Sequence, residues 1–403
     1  MSVRKRTWTT GKGDERTAWV VDYVDTKGRR RLKTFKLKKL ADEFAATANV
    51  EVREGVHVAD RETVTVKEAG DLWMKSCGAA GLERATLDQY RQHLDLHIAP
   101  MIGDVKLSKV TVPAVRGFQE ELRENGRSAA MIKRVTVSLG SILSDAQERG
   151  LVVRNAVQEM SKRRGSGNAA EKRQKARLRY GVDIPTMGEV RAILEAAQGR
   201  YRPFIVTAVF TGMRASELRG LSWPDVDLAK GLIHVRQRAD KYHTVGMPKS
   251  DAGQRTIPLT PMVINTLREW RLACPKGELN LVFPNGEGHI EWHQNIIKRG
   301  LHPTMIRAGV TVPGSQQDEA GNPLPAPKYT GLHALRHWYA SWCINSKTDG
   351  GLELSPKAVQ ARMGHSSIQV TFDTYGHLFP ATDEAQALAD AESRLMTVRP
   401  VAG

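Results

Sequence analysis

Residues able to bind and attack a phosphate occur in three short stretches of the carboxy-terminal half of the chain. The first, FTGMRASELRGLSW, carries Arg214 and Glu217 three residues apart. At a predicted helix start this spacing places both side chains on one face, where the carboxylate can orient the guanidinium. Arginine suits phosphate oxygens because its donor fork is planar and always charged. The stretch therefore indicates an anion-binding arginine held by a carboxylate.

The other two stretches add histidines, a second arginine and a tyrosine. HALRHWYAS places His333 and Arg336 three residues apart, and MGHSSIQVTFDTYGHL carries His365 and, ten positions on, Tyr375. A helix before Tyr375 is expected to bury an apolar face made by Ile368, Val370 and Phe372. Two arginines, two histidines and a tyrosine can together bind one phosphate and present a nucleophilic hydroxyl to it.

A metal site is a competing interpretation of the same histidines. His333 and His337 are four residues apart, as in the zinc-protease pattern H-E-x-x-H. However, the second position here is Ala334, and the cation Arg336 lies inside the motif and would repel Zn²⁺. No metal is expected. No cofactor is expected either, and the chain contains no GxxxxGKS/T loop for a nucleotide.

The order Arg, H-x-x-R, G-H, Tyr resembles the signature of the tyrosine recombinase, or phage integrase, family. Residue for residue, the resemblance implies a catalytic set of Arg214, Lys249, His333, Arg336, His365 and Tyr375, with Glu217 supporting the first arginine. The family's general acid is a lysine in a hairpin turn. Lys249 fits that place between the predicted strands LIHVRQR and RTIPL, and Lys241 in the preceding segment is the alternative.

The resemblance also implies a mechanism. The hydroxyl of Tyr375 would attack a DNA phosphodiester, forming a 3′-phosphotyrosine link and freeing a 5′-hydroxyl that later attacks a partner strand. One ester replaces another, so neither ATP nor a divalent metal is required. His333 could accept the Tyr375 proton, because histidine ordinarily titrates near neutral pH.

Length and charge point to several domains and a polyanionic partner. The chain has 403 residues and a net charge of +16, and we expect a multidomain α+β protein that binds nucleic acid. The predicted order is a β-sheet-plus-helix module at 1–60, an all-helical core-binding domain at 64–160, a basic linker at 161–185, a mixed, mainly helical catalytic domain with a small β-sheet at 186–380, and a tail at 381–403.

The amino-terminal module is strongly basic. Trp19, Val21 and Tyr23 alternate with other residues as in a strand, and the helix that follows should bury one face made by Leu37, Leu40, Ala41, Phe44 and Ala48. The module resembles the arm-binding domain of phage and mobile-element integrases. The DNA-binding candidates are Arg29, Arg30, Arg31, Lys33, Lys36 and Lys38.

Capping patterns divide the rest of the chain. Thr65 with Glu68, Thr86 with Gln89, and Thr186 with Glu189 match the capping box that opens a helix. Four helices are predicted before Gly150. After Tyr375 a short helix is expected within 384–396. By family resemblance it would dock on a neighbouring protomer, and docking on its own domain is the alternative.

These observations together predict a site-specific recombinase that integrates and excises a phage or mobile element. The expected partners are double-stranded DNA with core-type and arm-type sites, a homo-tetramer, a host DNA-bending protein and an excision factor. An Xer-like chromosome or plasmid resolvase and a catalytically inactive architectural DNA-binding protein are the alternatives. A cytoplasmic location is expected, because three widely spaced cysteines indicate free thiols and no apolar run approaches about 20 residues.

Overall fold

The computed structural model describes most of the chain. The described residues are 1–9, 11, 14–26, 28–53, 63–163, 177–248, 250–379, 388–389, 392–394 and 396. Most of the predicted linker and tail, and Lys249, lie outside them. The chain divides into two compact units, Met1–Arg173 and Gln174–Gly403. The finer domain boundaries drawn from the sequence stay predictions.

The chain begins with an antiparallel three-stranded sheet and one helix. The elements are β1 (Ser2–Thr9), β2 (Glu15–Val24), β3 (Arg30–Phe35) and α1 (Lys38–Arg53), with β2 in the centre of the sheet. Val21 and Tyr23 of β2 are buried with Ala41 of α1. The predicted strand and helix are therefore confirmed, but Leu37 and Leu40, both expected on the buried face, are exposed.

Residues 63–163 are helical. The elements are α2 (Val66–Ala79), α3 (Arg84–His93), a π-helical turn (Leu94–Ile98), α4 (Ala99–Ile102), a 3-10 turn (Leu107–Lys109), α5 (Val112–Glu124), α6 (Ala129–Glu148) and α7 (Ala156–Arg163). Thr65 and Glu68 form the predicted capping box. The box predicted at Thr86 is wrong, because the helix begins two residues earlier and Thr86 lies inside it. The four predicted helices match α2, α3, α5 and α6.

The second unit mixes helices with short strands. It contains α8 (Met187–Ala196), a 3-10 turn (Gly199–Tyr201), α9 (Arg202–Thr211), α10 (Ala215–Gly220), a 3-10 turn (Trp223–Asp225), β4 (Val226–Asp227), β5 (Leu232–Val235), β6 (Arg238–Ala239), β7 (Val245–Gly246), a 3-10 turn (Asp251–Gly253), β8 (Arg255–Pro258) and α11 (Pro261–Ala273). After these come α12 (His293–Asn295), a π-helical turn (Ile296–Leu301), α13 (His302–Arg307), β9 (Thr311–Gln317), β10 (Pro323–Pro327), α14 (His333–Ile344), α15 (Pro356–Met363), α16 (Ile368–Tyr375) and a 3-10 turn (Gly376–Leu378).

The predicted hairpin is present in this unit. β5 pairs antiparallel with β8, placing Ile233 opposite Ile257, and both side chains are buried. The segment between the two strands contains a second small ribbon, β6 with β7, which the sequence did not indicate. The hairpin and the helices of both units confirm the predicted fold class, a multidomain α+β protein with a mainly helical second unit.

A close packing contact sets the start of α10. Helix α9 is apolar along nearly its whole length and is buried in the core of the unit. It ends at Gly212, whose φ of 57° lies in the left-handed region and which sits against the ring of Tyr339. A Cβ at Gly212 would lie 2.3 Å from that ring, so only glycine fits both the backbone turn and the contact. The chain thereby turns into α10 two residues before Arg214.

Candidate active site

Arg214 and Glu217 occupy the first turn of α10. Arg214 is the N-cap residue, and its backbone N–H donates to Glu217 Oε2 over 2.8 Å. Its Nη1 donates to Glu217 Oε1, also over 2.8 Å. The predicted carboxylate-held arginine is therefore present. Glu217 is only 2% exposed, whereas the Arg214 side chain is 37% exposed and accessible to a ligand.

A second arginine, which was not predicted from the sequence, binds the same carboxylate. Arg255, the first residue of β8, donates from Nη2 to Glu217 Oε2 over 2.9 Å and from Nη1 to Oε1 over 3.2 Å. Burial raises the pKa of Glu217, but the hydrogen bonds and charges of Arg255 and then Arg214 outweigh it and hold the pKa below its usual value. Glu217 is therefore ionised and joins two guanidinium groups.

Arg336 is buried among backbone carbonyls. It lies in the first turn of α14, is 4% exposed, and donates to the carbonyl of Gly212 and, from Nη2 over 2.6 Å, to that of Met363. Burial, followed by the charge of Arg214, lowers the pKa of Arg336 to about 10. The Arg336 guanidinium therefore remains a cation at neutral pH, although little water reaches it to solvate its charge.

Three arginines bind successive carbonyls at the carboxy-terminal end of α15. Arg255 Nε donates to the carbonyl of Arg362 over 2.8 Å, Arg336 to that of Met363, and Arg214 Nη2 to that of Gly364 over 3.0 Å. The last carbonyls of a helix have no partner within the helix and carry partial negative charge, so cations stabilise them. This helix end therefore fixes three guanidinium groups from three separate elements.

His365 and Tyr375 lie side by side just beyond that helix end. Their rings are nearly parallel, with centroids 6.1 Å apart. His365 is buried, its Nδ1 lies 2.9 Å from Thr371 Oγ1, and burial followed by the charges of Arg336 and Arg214 lowers its pKa to about 4. The predicted apolar face of α16 is wrong: Val370 and Phe372 are exposed, and the buried residues are Thr371 and Tyr375, four apart as a helix face requires.

The hydroxyl of Tyr375 is bound by His337, which the sequence suggested only as a possible metal ligand. Tyr375 is 2% exposed, and its Oη lies 2.8 Å from His337 Nδ1. Burial raises the pKa of Tyr375 to about 12 against the opposing charges of Arg336 and Arg214. His333 lies one turn earlier on α14, with its ring centroid 5.2 Å from that of His337. Burial and the same two arginines lower the pKa of His333.

The predicted general acid is not described. Lys249 lies outside the described residues. Its alternative, Lys241, lies in the turn between β6 and β7, with Nζ 4.8 Å from the ring centroid of Tyr242. Among the residues that the structure describes, no three His, Cys, Asp or Glu side chains are grouped to hold a metal ion.

The six basic residues singled out near β3 do not all lie on one face. Arg31 and Lys33 are half-buried on the side of Phe35, and Lys33 Nζ lies 4.2 Å from the ring centroid of Phe44. Arg30 points to the other side and pairs with Asp22. Arg29, Lys36 and Lys38 are exposed.

Two neighbouring signals could have revealed the missed residues. Arg255 opens the predicted strand RTIPL, whose Ile257 is buried, so the alternation of a strand places both on the same face. His337 follows His333 by four residues on a predicted helix, which puts both on one side. Neither signal identifies a partner, because Glu217 and Tyr375 come from distant parts of the chain.

Two family models match the chain. The model of the Phage integrase family matches residues 186–382, and the model of the Phage integrase, N-terminal SAM-like domain matches residues 65–123. The first of these models covers Tyr375 and the three arginines that bind the end of α15. The chain belongs to the phage integrase family of tyrosine recombinases, and its enzyme class is that of a tyrosine site-specific recombinase.

Relatives and solved structures agree with this. The chain is 25% identical to the tyrosine recombinase XerC-like protein of Caldanaerobacter subterraneus, over 84% of this chain and 86% of the relative. It is 24% identical to the prophage integrase IntR of Escherichia coli, over 79% and 77%. The Tn1549 transposon integrase in complex with a circular intermediate DNA has the same fold, with a TM-score of 0.61 at 20% identity, over 82% of this chain and 99% of that one. For a lambda integrase tetramer bound to a Holliday junction the TM-score is 0.53 at 18% identity, over 90% and 95%.

No described helix combines the length and the apolar composition that crossing a membrane would require.

Proposed function

We propose that this recombinase cuts and rejoins DNA through a 3′-phosphotyrosine bond to Tyr375, and that it integrates and excises a phage or mobile element. The observation that carries the proposal is the tyrosine hydroxyl held beside uncharged histidines and under the charges of Arg336 and Arg214. A buried tyrosine in the field of two arginines is suited to attack an anion that those arginines bind.

In this proposal the two arginines stabilise the transition state. The attacked phosphate gathers negative charge on its non-bridging oxygens, and planar guanidinium forks match those oxygens. A guanidinium has five N–H donors. Contacts with Glu217 and the carbonyl of Gly364 occupy some donors of Arg214, and the part-exposed remainder supports a role in binding phosphate.

The histidines and the lysine complete the set. His365, fixed by Thr371, and His333 would add hydrogen bonds to the phosphate. Lys249 would protonate the departing 5′-oxygen, which is a poor leaving group as an alkoxide. The proposed catalytic set is then Arg214, Lys249, His333, Arg336, His365 and Tyr375, with Glu217 and Arg255 as positioning residues.

The basic amino-terminal module favours an integrase over a resolvase. Residues 1–60 would bind arm-type DNA while the rest of the chain binds the core site. The XerC relatives also support an Xer-like resolvase as a second candidate. Deleting 1–60 separates the two, because an integrase loses arm-site binding and a resolvase has no arm sites to lose.

The proposed partners follow from the same reaction. They are double-stranded DNA with core-type and arm-type sites, three further copies of the chain in a synaptic homo-tetramer, a host DNA-bending protein and an excision factor. The tail at 381–403 would join neighbouring protomers of that tetramer. The proposed location is the cytoplasm, on the host DNA.

A suicide-substrate assay tests the proposal. Duplexes that bind the protein are selected from a random-sequence library and synthesised with single nicks at successive positions, so that cleavage releases a short strand and traps the covalent complex. Wild-type protein should form a protein–DNA adduct, and Tyr375→Phe should bind the same duplex without forming it. Tyr180→Phe, at an exposed tyrosine of the same unit, is the matched control and should form adduct. An undiminished adduct with Tyr375→Phe would refute the proposal.

A further inference from the structure

His337 contacts the hydroxyl of Tyr375, the group that is proposed to attack DNA. The 2.8 Å separation of Nδ1 and Oη is an ordinary hydrogen-bond length. The two ring centroids are 5.8 Å apart at an interplanar angle of 60°. The described contacts of His333 include no such bond to Tyr375.

Two helices of the second unit bring this pair together. His337 lies in α14, one turn after His333 and directly after Arg336. Tyr375 is the last residue of α16. Because Arg336 binds the end of α15, the helix that precedes α16, the position of α14 relative to Tyr375 is fixed by the same contacts that hold the arginines. The histidine–tyrosine bond is thus part of the site rather than an accidental surface contact.

The direction of this bond depends on the tautomer of the imidazole. When the uncharged ring carries its proton on Nε2, its Nδ1 accepts the hydrogen bond that the tyrosine O–H donates. Burial, followed by the charges of His333 and Arg336, lowers the pKa of His337 to about 4, with Asp183 acting in the opposite direction. The ring is therefore uncharged at neutral pH and its Nδ1 is able to take a proton.

We infer that His337, and not His333, accepts the hydroxyl proton of Tyr375 when the tyrosine attacks DNA. The inference rests on the proposed function and adds the residue that activates the nucleophile. As the bond from Oη to phosphorus forms, the proton moves from Oη to His337 Nδ1. The bond from phosphorus to the 5′-oxygen breaks, and that oxygen takes a proton from Lys249. In the rejoining step the same proton returns from His337 to Oη.

The charges around the pair explain why the proton would stay on Tyr375 until DNA is bound. Arg336 disfavours a further positive charge on the neighbouring His337. A phosphodiester bound by Arg336 and Arg214 adds negative charge beside the imidazole. It thereby favours the protonated ring at the moment when the tyrosine attacks.

Fluorinated tyrosine at position 375 tests the inference, because fluorine lowers the pKa of the phenol and so reduces the need for a base. The measured quantity is the single-turnover adduct rate on the nicked duplex selected above. His337→Ala should lower this rate by on the order of 10²-fold or more with ordinary tyrosine, the usual contribution of a general base. The loss should become at least about tenfold smaller with fluorotyrosine. His333→Ala, the matched variant one turn away, should show the same loss with either tyrosine.

His337→Gln separates proton transfer from positioning. The glutamine amide oxygen can accept the tyrosine hydrogen bond but cannot take its proton, so this variant should stay close to the His337→Ala rate. It also retains a polar partner for Oη if the alanine variant unfolds. Wild-type rates with glutamine, or an equal loss for His337→Ala with both tyrosines, would overturn the inference. If wild-type protein forms no adduct through Tyr375, the proposed function itself fails, and this outcome is distinct from both.

Discussion

Arg255 should be among the most sensitive stabilising residues of the second unit. Its side chain is 6% exposed, as against 2% for Glu217, which it binds through two N–H donors. Arg255→Met removes this partner while keeping an apolar chain of similar reach. Removing one member of a buried ion pair costs about 3–5 kcal/mol, because the other charge is left without compensation. Arg214 still contacts Glu217, so we expect a value near the lower end, about 3 kcal/mol.

Thermal unfolding followed by tryptophan fluorescence measures this loss. Five of the eight tryptophans lie in the second unit, namely Trp223, Trp270, Trp292, Trp338 and Trp342. For a unit of this size each kcal/mol moves the unfolding midpoint by about 2–4 °C, so Arg255→Met should lower it by about 6–12 °C. Arg268→Met, on the exposed side of α11, is the matched control and should change stability by less than about 0.5 kcal/mol.

A double-mutant cycle and a change of pH test whether the stability loss of Arg255→Met comes from the uncompensated charge of Glu217. In a Glu217→Gln background no buried charge is stranded, so Arg255→Met should cost clearly less than in the wild-type background. The pKa of Glu217 is lowered in the folded protein. Its contribution to stability is therefore present above the carboxyl's ordinary pKa and is lost as the pH falls through the folded value. The difference between wild type and Arg255→Met should shrink as the pH falls through that range. A pH-independent difference, or equal costs in both backgrounds, would refute the stranded-charge explanation.

Further predictions concern other parts of the site and the amino-terminal module. Gly364→Ala should destabilise the protein by more than about 1 kcal/mol in a denaturant melt, because φ is 62°, whereas Gly188→Ala, where a Cβ meets open space, should be nearly neutral. Lys249→Ala should recover cleavage on DNA whose bridging 5′-oxygen is replaced by sulfur, because a thiol has a pKa of about 8.5 against about 15.7 for water; rescue of Lys241→Ala instead would move the general acid there. Deleting 1–60 should reduce the salt dependence of binding to arm-containing DNA while sparing core-site cleavage, and unchanged arm binding would argue against an arm-binding module.

The arginine and histidine pairs proposed to bind phosphate could be predicted from the sequence because their spacing is local. Arg214 with Glu217, and His333 with Arg336, lie three residues apart on helices, and the helix period alone places each pair on one face. The capping boxes at Thr65 and Thr186 were predictable for the same reason, since both partners lie within one turn.

The contacts that assemble the site could not be predicted, because they join segments far apart in the chain. Arg255 donates to Glu217, which lies 38 residues earlier in the chain, and Arg336 donates to the carbonyl of Gly212, which lies 124 residues earlier. The bond between His337 and Tyr375 depends on how α14 packs against the end of α16. A single sequence contains no local signal for that packing. Ile368, Val370 and Phe372 are spaced two residues apart, which is the period of a strand, so they do not share one face of the helix α16.

The most direct test of the central claim is to locate the covalent bond. The adduct formed on the nicked, selected duplex is digested with nuclease and trypsin, and the peptides are analysed by mass spectrometry. Trypsin cleaves after Arg362 and Arg394, giving a peptide of residues 363–394 in which Tyr375 is the single tyrosine. We predict that this peptide carries the 3′-phosphonucleotide on Tyr375. A nucleotide attached to any other residue, or cleaved DNA with no covalent peptide, would contradict the account.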